Sequence, residues 1–227
     1  MKLKDFIWIG IISAITAIII VPFTRGHFET ATSNSPYLMG FIKTAVLATM
    51  GELLVNRIHQ GIYFSGKGVA LKFIVWGFLG VMFVLVFKVF AEGVSAAQQQ
   101  GLLPQIIGNS LGASLLTAFL ISLVMNLCFA PAFMILHRIT DGFIELGEGS
   151  LRKLSKVRFS LVINRIDWSF FFGFVILKTI PIFWIPAHTI TFLLPENYRV
   201  LMAAYLSIAL GIILTLTKKN SKNQNTE

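Results

Sequence analysis

Six stretches of about twenty residues, each nearly free of charge, set the first constraint on this chain: 6–23, 37–60, 71–88, 110–137, 168–190 and 198–217. A helix rising 1.5 Å per residue needs roughly 20 apolar residues to cross a hydrocarbon layer, and a water-soluble core has no use for so many of them. The composition agrees, at 56% hydrophobic, 13% charged and a mean hydropathy of +0.78. Soluble domains carry roughly a quarter charged residues. The single cysteine, Cys128, excludes an internal disulfide. The expected fold class is all-α, a multi-pass transmembrane helical bundle of about six spans forming one domain over 1–217.

The spans differ in polarity. The second holds Lys43, Glu52, Asn56 and Arg57, while the fifth is broken by Pro181 and Pro186. Lys2 and Lys4 before the first span also fit a signal peptide, but the apolar run is long and no small-x-small site follows Pro22. It is therefore read as a retained span. The stretch 91–109, with Gln98, Gln99, Gln100 and Pro104, reads as a polar excursion. A loop at 138–167 carries Leu151, Leu154, Val157 and Leu161 at helical spacing among Arg152, Lys153, Lys156 and Arg158. A basic amphipathic surface helix and a solvated charged loop both fit that pattern. The tail 218–227 is polar enough to be expected disordered.

Charge sets the orientation. Of 19 Lys and Arg, only Arg25, Lys88 and Arg199 fall in segments on the outside when the N-terminus is placed in the cytoplasm, and Lys43 and Lys178 lie within spans. The positive-inside rule then puts both termini in the cytoplasm. The net charge of +9 is accounted for by topology, so no nucleic-acid partner is expected.

Residues four apart share a helix face, and three spans show small or polar rows at that spacing. They are Thr44, Ala48, Glu52, Asn56 and Gln60; Ser110, Ser114, Ala118, Ser122, Asn126 and Ala130; and Ala203, Ser207, Gly211 and Thr215. The third row reads as a packing seam, because small residues let helices approach in lipid. The first two carry large polar groups at depth, which mark functional candidates. Counted along the helices, Glu52, Asn56, Asn126 and Lys178 reach similar depths in the inner half of the bilayer. The expectation is a polar cluster of Thr44, Glu52, Asn56, Asn126 and Lys178 lining a pore or cavity, with Glu52 and Lys178 paired. Lys43, nearer the outer end, reads as a snorkelling lysine. Pro131, Pro181 and Pro186 release the carbonyls of Leu127, Leu177 and Ile182, two of them beside Asn126 and Lys178. A pore lining and a plain kink both fit.

At these residues the chain resembles a family of small membrane proteins of peroxisomes and the mitochondrial inner membrane, typified by the twenty-two-kilodalton peroxisomal membrane protein and the Mpv-type protein. Gly51-Glu52-Leu53-Leu54-Val55-Asn56 is similar to that family's Gly-Asp-x-x-x-Gln, and Asn126-Leu127-Cys128-Phe129-Ala130-Pro131 to its Asp-Gln-x-x-Phe-Ala-Pro. Pro181, Trp184, Phe192, Pro195, Tyr198 and Arg199 resemble its C-terminal signature. Asn replaces Gln twice, and Met125 stands where the family has an acid. The resemblance implies a pore-type function with an undefined solute. It also implies a distant, bacterial relative, hence the plasma membrane, or an organellar membrane in a eukaryote.

Other chemistry has little support. His27, His59, His137 and His188 are scattered, and no phosphate loop, nucleophile elbow or His-Glu-x-x-His is present. His137 and Asp141, four apart, form the one spacing for a base dyad or half a metal site, and read better as interfacial groups. No catalytic residues, metal or cofactor are expected. The expected function is a channel or transporter for a small solute or ion, with the lipid bilayer as partner and a homo-oligomer left open. The rival is a non-transporting scaffold whose polar groups fix helix register.

Overall fold

The computed structural model describes residues 2–64 and 67–224, with side chains described as far as Ile213. The described residues form helices and loops without a strand. In order they are α1 (Leu3–Ile20), α2 (Pro22–Asn34), α3 (Pro36–Gln60), α4 (Val69–Gln99), α5 (Leu111–Cys128), α6 (Ala130–Leu146), α7 (Leu151–Leu154) and α8 (Phe159–Arg165). A broken helix Trp168–Leu193 follows, made of α9 (Trp168–Phe170), π-helical turns at Phe171–Ile176 and Ile180–Trp184, and α10 (Ile185–Leu193). The last element is α11 (Glu196–Gln224).

Among the described residues five helices are long and apolar enough to cross a membrane: Leu3–Ile20, Pro36–Gln60, Val69–Gln99, Leu111–Cys128 and Trp168–Leu193. Their outward faces carry Phe6, Ile18, Phe78, Leu85, Leu115 and Ile190, large side chains that a soluble surface would hide. The sixth expected span, 198–217, lies in α11, whose side chains beyond Ile213 fall outside the described residues. The helix itself continues past Thr217 to Gln224, and 225–227 of the expected disordered tail lie outside the described residues.

Proline places several boundaries. Val21 and Ser35 take non-helical backbone before Pro22 and Pro36, as the residue before a proline favours, and each proline then occupies the first turn of the next helix. The segment between the first two spans is thus the helix α2, whose Phe28 and Thr32, four apart, turn into the core. The fourth span is two helices. Pro131 cannot donate to Leu127, and the chain breaks at Phe129 between α5 and α6. The polar excursion starts later than expected, because α4 runs on to Gln99 with Val94 and Gln98 buried. Gln98 donates to the Pro104 carbonyl (2.8 Å) and accepts from Thr117 Oγ1 (3.1 Å), tying down the loop. Helix spacing across 150–167 is likewise interrupted. Arg158 is extended, and the only helical pieces there are α7 and α8.

Helices α3 and α4 cross where glycine is needed. A Cβ on Gly40 would lie 2.9 Å from the Gly80 carbonyl oxygen and 2.5 Å from Val84 Cγ2. Three apolar clusters hold the rest: Phe87, Leu120, Met125 and Phe192 around α4, α5 and α10; Ala130, Val162, Phe171 and Ile180 around α6 and α8; and Phe28, Leu47, Leu201 and Ile208 around α2, α3 and α11. Between these clusters the bundle stays open.

Candidate functional site

The gap is a cavity of about 930 Å³ walled by α3, α4, α5, α6, α11 and the broken helix Trp168–Leu193. Three of the expected small and polar rows face it. Thr44, Ala48, Glu52 and Asn56 line one wall, Asn126 and Ala130 another, and Ala203, Ser207 and Gly211 a third. The third row was expected to be a packing seam. Gly211 does approach Val55 closely, but the same row also borders the hollow.

One end of the bundle is basic and collects most of the loops. There Lys72, one turn into α4, reaches Glu52 on α3 (Nζ–Oε2 2.8 Å) and Asp141 on α6 (Nζ–Oδ1 3.7 Å). Trp76 Nε1 donates to the other Glu52 oxygen at 2.6 Å, and its ring packs at 4.3 Å on His137, whose Nδ1 lies 3.8 Å from Asp141 Oδ2. One ammonium therefore bridges two carboxylates from neighbouring helices, inside a half-buried pocket where ion pairs are screened less than at a surface. Glu52, His137 and Asp141 bring their ligand atoms within 4.8 Å of one another, the donor set of a cation site. Lys72 already supplies a positive charge to it. Among the described residues the buried His137 Nε2 has no hydrogen-bond partner.

The loops beside this cluster are clamped by charge. Arg57 grips Asp5 at 2.7 Å and 2.9 Å, which fastens the start of α1 to the end of α3. Glu148 sits between Lys67 and Lys153, 2.9 Å from each, and those two ammonium groups hold its carboxyl down to about 2. Lys67 is raised in return by Glu148.

Deeper in the cavity the polar groups are amide, hydroxyl and imidazole. Asn126 is fully buried, donates to the Ser122 carbonyl (2.8 Å) and lies 3.1 Å from His188 Nδ1. Ser122 donates to the Ile185 carbonyl at 2.7 Å, locking α5 to α10. His188 is sandwiched by Trp184 (centroids 5.1 Å, stacked) and the edge of Phe87 (5.7 Å). The buried Thr44 Oγ1 and Trp184 Nε1 lack partners, and both residues border the cavity.

Thr44, Glu52, Asn56 and Asn126 thus share one hollow, but Lys178 does not. It is exposed on the outer surface, with Nζ 5.6 Å from the Phe174 ring, and the expected Glu52–Lys178 pair does not form. The reason is helical phase: the flanking turns are π-helical, so Phe174 and Val175 face inward while Leu177 and Lys178 face outward. Lys178 snorkels back along its own helix instead. Leu127, Leu177 and Ile182, whose carbonyls face Pro131, Pro181 and Pro186 one turn on, are 60%, 70% and 75% exposed, and none of the three borders the cavity.

Some residues of the family resemblance are structural here. Gly51 leaves room for Ile208, Tyr198 donates to Glu29, and Arg199, just after Pro195, donates to the carbonyls of Leu194 (3.1 Å) and Phe192 (3.3 Å). Of the residues that carry the resemblance, Gly51, Glu52, Asn56, Asn126, Ala130 and Trp184 border the cavity, while Pro195, Tyr198 and Arg199 do not. No family model, no curated protein and no solved structure matches the chain.

Sequence reasoning missed Lys72, Trp76 and His188. Lys72 and Trp76 lie four apart near the start of the third expected span, a spacing that signals a shared face. His137 and Asp141 had the right spacing and were set aside.

Proposed function

We propose that this chain is an integral membrane channel or carrier that passes a small solute or ion through the cavity between α3, α4, α6 and α11. The carrying observation is the 930 Å³ hollow, which joins a charged cluster at the basic end to Asn126 and His188 deep among apolar helices. A packed scaffold has no need of such a space, and polar groups at membrane depth belong beside water or each other. In this reading the basic end and both termini face the cytoplasm, and the plasma membrane is the setting. Glu52 sets ion preference together with Lys72 and Asp141. The loose likeness to the peroxisomal and mitochondrial pore family points the same way.

The test is flux through proteoliposomes of purified protein. A dye-release or radiotracer panel of small anions, cations and neutral solutes is expected to show protein-dependent leak, changed at least tenfold in rate or selectivity by Glu52→Gln. A folded protein with no leak for any solute would favour the scaffold reading, for which the α3–α4–α6 charge network is a register-fixing device.

A further inference from the structure

The end of the bundle opposite the basic loops has a smaller pocket of about 300 Å³ between α2, α3, α4 and α11. Its wall holds Lys43, Lys88 and Arg199 against one acid, Glu196. Lys88 Nζ lies 3.1 Å from both Glu196 and Glu92, so its charge is matched. Among the described residues neither Lys43 nor Arg199 has a carboxylate within 4 Å, and Arg199 shares the field of Glu196 and Glu92 with Lys88.

Lys43 is buried to 6% exposure, yet no carboxylate reaches it among the described residues. It donates to Thr32 Oγ1 (2.8 Å) and the Asn197 carbonyl (3.1 Å) and lies over the Phe28 ring. An ammonium has three donors, so one remains uncommitted. Arg199 likewise spends two of its five N–H groups on carbonyls. Neutral donors would satisfy those oxygens equally well, and with Lys43, Lys88 and Arg199 set against Glu92 and Glu196 one positive charge remains in excess. A buried charge normally has a partner. The same pocket is bordered by Pro36 in the first turn of α3 and by Glu196 and Asn197 in the first turn of α11, where helix dipoles also favour negative charge.

We infer that this pocket binds a small anion carrying a phosphate or carboxylate group between Lys43 and Arg199. Free anions and anionic lipid headgroups share that chemistry. Phe87 borders both this pocket and the large cavity, so its ring stands between them. If the transport reading holds, the anion site is the far vestibule of the same path, with Phe87 as the barrier. The binding itself does not depend on that reading.

The experiment is a calorimetric titration of inorganic phosphate and of succinate into the full-length protein in phosphatidylcholine nanodiscs, repeated in nanodiscs containing phosphatidylglycerol. Saturable binding is expected in the first. It should weaken at least tenfold in Lys43→Met and tighten in Glu196→Gln, which removes the competing acid. Lys67→Gln at the basic end should leave it unchanged. If binding vanishes only in the phosphatidylglycerol discs, a lipid headgroup is the occupant. If Lys43→Met fails to fold, Glu196→Gln decides. Absence of saturable binding in both lipids, or binding indifferent to Lys43→Met and Glu196→Gln, overturns the site. Flux on the same samples separates the two readings: anion binding without flux removes transport and keeps the pocket, and flux without anion binding does the reverse.

Discussion

The two ends of the bundle handle buried lysine in opposite ways. At the basic end Lys72 lies between Glu52 and Asp141, and charge answers charge across three helices. At the far end Lys43 is more deeply buried, yet meets only a hydroxyl, a carbonyl and a ring. The first arrangement gives its lysine two carboxylate partners within the chain, so removing Lys72 leaves two acids facing each other. The second leaves charge over for something outside it. The same lysine chemistry thus serves as an internal bridge in one place and as an open binding group in the other.

The largest expected effect breaks the bridge. Lys72→Met leaves two half-buried carboxylates facing each other, and removing one member of a buried ion pair costs about 3–5 kcal/mol. Lys43→Met is expected to cost less than about 1 kcal/mol, because Thr32 keeps its own bond to the Phe28 carbonyl and an apolar side chain suits the site. Thermal unfolding of both variants in detergent checks the contrast. Adding Glu52→Gln to Lys72→Met should recover part of the loss. Equal losses at both ends would erase the distinction drawn here.

A smaller effect concerns acid. Glu148 is held to about 2 by Lys67 and Lys153, well below its ordinary value. Its tether between the loop after α3 and the turn after α6 is therefore fully present above about pH 4.5 and is lost as pH falls toward about 2. Hydrogen exchange of the turn after α6 should accelerate over that window, and Lys67→Gln should flatten the change. At the far-end pocket the exposed Lys88–Glu196 pair joins two helices directly.

Much of the architecture was legible in the sequence because span length, proline position and charge asymmetry are one-dimensional signals. The rows through Thr44, Glu52 and Asn56 and through Asn126 were also legible, since a regular helix converts spacing into a shared face. Phase was lost where the helix stops being regular. Lys178 was placed by depth along an α-helix, and the π-turns around it carried it to the opposite side. Lys72 was hidden for a different reason. A lysine at a span end ordinarily snorkels to water, and only the approach of α3 and α6 turns it inward.

The central claim is that water enters between the helices from the basic end, and thiol accessibility tests it most directly. In a Cys128→Ser background, Ala48→Cys and Ser207→Cys face the cavity, while Phe78→Cys and Leu85→Cys face outward. A membrane-impermeant thiol reagent reacts with thiolate, which needs water to form. Applied to the side bearing the basic loops, it should modify the first pair readily and leave the second pair untouched. Four equally silent thiols would mean a dry interior and contradict the account.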